Sequence, residues 1–89
     1  METIHRTIET IHEYAVRFQG EDGTLYAILA CGELRDDGMW EGCLEFRPLA
    51  GGLPRRTRRE TTQPSRDALV YWASGLEPIY FEGAFTRAG

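Results

Sequence analysis

HEYAVRFQGEDGTLYAILACGELRDDGMWEGCLEFR, residues 12–47, decides the fold. Two corners within it share one chemistry, Glu21-Asp22-Gly23 and Asp36-Asp37-Gly38. Each suits a three-residue hairpin loop, a type I turn closed by a left-handed glycine that forms a bulge. Using that loop twice fixes the pairing of three antiparallel strands. Val16 then faces Ile28, and Ile28 faces Phe46. Tyr14 faces Ala30, and Ala30 faces Leu44. Phe18 faces Tyr26, and Leu34 faces Trp40. All fall on one face, because strand side chains alternate with period two. A slip of one residue would scatter them. The other face holds Arg17, Ala27 and Arg47 in one row, Ala15, Leu29 and Glu45 in the next, and Glu13, Cys31 and Cys43 in a third. That half-polar surface suits a solvated face or a wet interface.

An apolar sheet face needs a cover, and residues 60–78, ETTQPSRDALVYWASGLEP, supply it. Pro64 keeps Gln63 extended. Ser65 stands where an N-cap is wanted, and Asp67 adds a carboxylate to the positive end of the helix dipole. Ala68, Leu69, Trp72, Ala73 and Leu76 recur at helical spacing as one apolar stripe. Gly75 is expected to close the helix in the left-handed conformation, with Leu76 folding back on Val70 or Tyr71. A helix this short is stable only if its stripe is buried.

The flanking segments read less sharply. ETIH recurs at residues 2–5 and 9–12. Ile4, Ile8 and Ile11 keep helical spacing, yet isoleucine and threonine also favour strands, so residues 1–11 are set apart from a single domain at 12–89. Pro48, Gly51, Gly52 and Pro54 interrupt any regular structure. Thr57–Gln63 suits a fourth, charged edge strand. In residues 79–87, Ile79, Phe81, Gly83 and Phe85 alternate as in a strand, while Tyr80, Ala84 and Arg87 keep helical spacing. Aromatic and β-branched content favours the strand.

These elements predict an α+β fold, an antiparallel meander of 3–5 strands with one short helix on one face. Eighty-nine residues make one domain. A hydrophobic content of 42% suits a globular chain rather than a disordered one. No apolar run approaches the length of a membrane span, and the N-terminus lacks a secretory apolar core, so a cytoplasmic protein is expected.

ETTQPSRDALVYWASGLEP followed by IYFEGAF resembles a signature of small uncharacterised bacterial proteins. The resemblance covers the C-terminal third. It implies a small bacterial domain and brings no activity, cofactor or catalytic residue with it.

Few residues suggest chemistry. All ten basic residues are arginine, and the net charge is −4. Arg55, Arg56, Arg58 and Arg59 form one short run, which leaves −8 on the remainder. Guanidinium forks fit phosphate and carboxylate, so this run is a candidate anion grip. A nucleic-acid binder is normally basic over a whole face, and the net charge disfavours that reading. Gly32 and Gly42 are paired beside Trp40, and the space over them is either a small pocket or a gap filled by the helix or the Trp40 ring. Tyr71 and Tyr80 are candidates for a contact surface.

Cys31 lies across from Cys43. Their spacing matches no zinc or CxxC motif; a cross-strand disulfide is conceivable there but strained, and reduced thiols are expected. The only histidines, His5 and His12, lie in or beside the unsettled N-terminal segment, and the pleat turns His12 away from the thiols. Glu41, Glu45 and Glu60 are carboxylates of a solvated face. No cofactor or metal is expected. The chain reads as a small non-enzymatic binding or interaction domain, with an unknown protein partner or self-association as a homodimer. The alternative is a nucleic-acid or phosphate-ligand binder acting through residues 55–59.

Overall fold

The computed structural model describes residues 7–89. Strands β1 (Ile8–Gln19), β2 (Leu25–Leu34) and β3 (Trp40–Pro48) form the antiparallel meander. The far margin of β3 is covered by two short strands in tandem, β4 (Arg55–Arg56) and β5 (Thr61–Gln63). Helices α1 (Arg66–Ser74) and α2 (Pro78–Arg87) complete an α+β fold.

The corners behave as their residues dictate. Gly23 and Gly38 take φ of 86° and 85°. The loops are closed by Gly20 N–H to Thr24 O at 2.8 Å and Arg35 N–H to Met39 O at 2.8 Å. Asp22 and Asp37 each accept from the backbone two residues on, at 3.0 Å. The β2–β3 register follows: Ile28 opposite Phe46, Ala30 opposite Leu44, Cys31 opposite Cys43, Gly32 opposite Gly42 and Leu34 opposite Trp40.

β1 departs from regular pairing. Phe18 faces Tyr26 and Arg17 faces Ala27, as the first corner requires. Glu13, however, faces Leu29, so Tyr14, Ala15 and Val16 together oppose Ile28 alone. A second irregularity leaves Ile11 unmatched between Thr10–Cys31 and His12–Ala30. The expected pairs Val16–Ile28 and Tyr14–Ala30 are therefore replaced. Val16 is 44% exposed instead of lining the core. The outer rows become Glu13, Leu29, Glu45 and Thr10, Cys31, Cys43. Extra residues bend a strand, and the bend accompanies Tyr14 into the core, where its ring meets His12 at 4.6 Å and Phe81 at 4.8 Å. β1 already includes residues 8–11, so that part of the leader is strand; residues 2–6 lie outside the described residues.

The expected fourth strand is interrupted. β4 pairs with Glu45 and Phe46, and β5 with Trp40 to Gly42. Between them Thr57 turns inward. Its N–H donates to Leu44 O, and its hydroxyl accepts from Leu44 N–H, both at 2.9 Å. A side chain thus substitutes for a ladder bond where the strand breaks.

α1 starts as its cap predicts, with Ser65 Oγ accepting from Ala68 N–H at 3.1 Å. Leu69 and Ala73 are buried, with Trp72 and Leu76 packed beside them. The far end corrects the expectation of a left-handed glycine. Gly75 has φ −91°, and α1 ends on short bonds from Gly75 N–H to Trp72 O and Leu76 N–H to Ala73 O. No reversal is needed, because Pro78 sits in the first turn of a second helix, where its missing N–H costs nothing. Residues 79–87 are thus helix, not strand. The buried face is Phe81, Ala84 and Ala88 with Phe85 beside them, a helical spacing that the alternation of Phe81, Gly83 and Phe85 obscures.

One core joins the sheet to both helices: Tyr14, Tyr26, Ile28, Ala30, Leu44 and Phe46 below, Ala73, Phe81 and Ala84 above. Among the described residues no helix is long and apolar enough to cross a membrane.

Candidate functional site

The run Arg55–Arg59 does not form a single basic patch. Strand alternation sends Arg55 and Arg56 to opposite faces of β4. Arg55 turns toward α2, donating to Ala88 O at 3.0 Å and Phe85 O at 3.5 Å. It satisfies carbonyls that the helix end leaves open. Its guanidinium carbon stands 4.1 Å from the Phe85 ring centroid. Arg56 instead bonds Glu45 Oε1 at 3.4 Å on the outer face. Arg58 and Arg59 are exposed.

The paired glycines carry no cavity. A Cβ on Gly42 would lie 2.6 Å from Leu69 Cδ1, and one on Gly32 would lie 2.5 Å from Leu69 Cδ2. The Leu69 side chain fills the gap, so the space beside Trp40 is packing rather than a pocket. Tyr71 is 82% exposed on α1. Tyr80 is half-buried and donates to Glu60 Oε1 at 2.5 Å.

Two carboxylates expected on a solvated face are instead built in. Glu60 also accepts from Arg87 at 2.6 and 3.2 Å, which ties α2 to the β4–β5 link. Burial pushes the Glu60 pKa up, but the bonds from Arg87 and Tyr80 outweigh it and hold the carboxyl below its ordinary value. Burial together with that hydrogen bond pushes the Tyr80 phenol up to about 12. Glu45 is 3% exposed although both helices lie on the opposite face. Burial raises its pKa too, and Arg47 at 3.2 Å, Cys31 and Arg56 more than offset this.

An open cleft of about 670 Å³ lies where the β1–β2 corner meets α2. The corner presents Glu21 and Asp22, while Glu82, Phe85 and Thr86 face it from one side of α2. Phe18, Tyr26 and Arg55 form the back. Phe85 centres this wall, 4.5 Å from Phe18 and 5.0 Å from Tyr26. Hydrogen bonds from Thr24 hold the Asp22 carboxyl below its usual range, with Arg55 adding to the effect. The lining holds three acidic residues, Glu21, Asp22 and Glu82, and one basic residue, Arg55. At the same end of the sheet Leu25, Leu49 and Leu53 are exposed, and Leu49 N–H bonds Leu25 O at 2.9 Å.

Apart from Arg55, the cleft residues read from the sequence as parts of the fold or not at all, and none as a site candidate. They come from the β1–β2 corner, β4 and α2, and no local spacing joins them. Reading residues 79–87 as a helix would have put Glu82, Phe85 and Thr86 on one side and hinted at a site there. Among the described residues no group of three or more His, Cys, Asp and Glu side chains could hold a metal ion. Comparison with protein-family models, curated proteins and solved structures finds no match.

Proposed function

We propose that this chain is a small non-enzymatic binding module whose cleft at the β1–β2 corner receives an arginine or lysine side chain of a partner polypeptide. The reading rests on one observation: an open cleft lined by Phe18, Tyr26 and Phe85 whose lining holds three acidic residues, Glu21, Asp22 and Glu82, and one arginine. A second cation entering beside Arg55 gains from Glu21, Asp22 and Glu82, and its methylene stem finds Phe18 and Tyr26. The volume lies in the range of small-ligand sites. A polypeptide partner is favoured over a free amine because Leu25, Leu49 and Leu53 are exposed at the same end of the sheet. Arg55 and Arg56 are committed within the fold, which takes half of the run away from a nucleic-acid or phosphate reading.

The test is an NMR titration of the labelled protein with a blocked arginine–leucine dipeptide and its glutamate–leucine counterpart. The basic probe is expected to shift the amides of Gly20 to Asp22 and of Phe85 and Thr86, less so at high salt, and the acidic probe to leave them unmoved. Glu21→Gln with Glu82→Gln should weaken the basic probe several-fold. Equal response to both probes, or shifts confined to other surfaces, would exclude this site.

A further inference from the structure

We propose that Cys31 and Cys43 are a peroxide-responsive thiol pair that closes into a cross-strand disulfide on the outer face of the sheet. The two residues are directly opposed on β2 and β3, and both are free. Leu49 N–H donates to Leu25 O in the same register, so every second pair from there, including Cys31–Cys43, is a hydrogen-bonded one. Such pairs hold their Cα atoms about 5.5 Å apart, inside the span that a disulfide bridges. Opposed positions of an antiparallel pair project to the same face, so the two thiols stand side by side. The Cβ atoms of such a pair stand at the wide end of about 4.5–5.5 Å, so closing the bridge draws the two strands slightly together.

The surroundings divide the labour. Cys31 is fully buried and its Sγ donates to Glu45 Oε2 at 3.5 Å. Cys43 is only half-buried and faces the face without helices. The neighbouring Cys31 thiol and the Arg56 charge lower the Cys43 pKa, whereas the Cys43 thiol and burial raise that of Cys31. The thiolate is the nucleophile, so Cys43 reacts first. Its sulfur attacks one peroxide oxygen, the O–O bond breaks, and hydroxide leaves. Cys43 is then a sulfenic acid. The Cys31 sulfur attacks the Cys43 sulfur, the S–O bond breaks, and the expelled hydroxide leaves as water with the Cys31 proton. Both sulfurs are oxidised at the expense of one peroxide. A bridge between opposed strand positions is strained, which makes it reducible by a thiol.

The experiment exposes the whole native chain to hydrogen peroxide, blocks remaining thiols with iodoacetamide, and reads intact mass and peptides. The expected product is a monomer lighter by two hydrogens with Cys31 linked to Cys43, reversed by dithiothreitol. In Cys31→Ser the sulfenic acid at Cys43 should persist and be captured by dimedone; in Cys43→Ser, Cys31 should resist peroxide. Native protein whose thiols both remain alkylatable, whose Cys43 goes on to sulfinic acid unbridged, or whose only disulfides join two chains would overturn the proposal. The result is independent of the cleft, whose residues lie elsewhere.

Discussion

Tyr14 and Ala73 lie 59 residues apart in sequence, and the Tyr14 hydroxyl donates to the Ala73 carbonyl oxygen at 2.6 Å. This bond joins the bent middle of β1 to the last turn of α1. It falls on a carbonyl of the helix end, which also accepts from Leu76 N–H at 3.3 Å. Tyr14→Phe keeps the ring among His12 and Phe81 and removes only the hydroxyl. The expected loss is about 1 kcal/mol. Urea denaturation checks it, with an unchanged slope showing that the fold is kept.

The glycine pair gives a second prediction. Gly42→Ala places a methyl 2.6 Å from Leu69 Cδ1 and 2.8 Å from the Thr61 methyl, and Leu69 is itself only 1% exposed. Overpacking of this kind costs about 1–3 kcal/mol. Leu69→Ala alone should cost about 2–5 kcal/mol by leaving a cavity. The double variant should be less damaged than the two losses added, because the alanine at 42 occupies part of the space that Leu69 vacates. Additive losses in thermal or urea melts would contradict direct contact.

Acid should unfold the protein through Glu60 and Glu45. Both carboxyls are held below their ordinary value of 4.5 in the folded chain. A group lowered by folding binds its proton less readily there than in the unfolded chain. Its stabilisation is therefore present above 4.5 and is lost as pH falls through the folded pKa. Glu60→Gln should cost about 1–3 kcal/mol near neutrality, since Arg87 and Tyr80 lose a charged acceptor. It should also flatten the decline of stability below pH 4.5, measured as urea midpoints across a pH series.

The arginine run should split in two when mutated. Arg55→Ala removes the cation over Phe85 and the bonds to Phe85 and Ala88, and should cost about 1–3 kcal/mol. Arg58→Ala with Arg59→Ala should stay within about 0.5 kcal/mol of the parent, because both are exposed. With only those two residues free of the bonds that occupy Arg55 and Arg56, labelled single-stranded DNA should bind negligibly even at low salt. Tight, salt-dependent retention on a filter would restore the phosphate reading.

The β2–β3 half of the sheet was legible because turn chemistry and side-chain alternation constrain the same register. Asp36-Asp37-Gly38 fixes the loop, and a slip would turn Ile28 and Phe46 outward. β1 was only partly legible. Its pairing is sound beside Glu21-Asp22-Gly23, but the irregularity at Tyr14–Val16 answers to a hydroxyl contact with α1 that no local pattern encodes. α2 was misread because Phe81 and Phe85 satisfy both the strand and the helix period, and Pro78 reads equally as a stop or a start. Gly75 does close α1, and only its expected left-handed conformation is absent, because the chain runs on into α2 without reversing. Of the site residues, Arg55 was noticed as one charge in a run, while its stacking on Phe85 depended on the helix that was missed.

The kinks in β1 have a bearing on solubility. β1 borders the sheet, and its outer backbone is a template on which another chain could stack. The unmatched residues at Ile11 and Tyr14–Val16 break the even spacing such stacking requires. Removing Ala15 and Val16 would straighten the middle of that border and should make the chain prone to fibrils, read by thioflavin fluorescence.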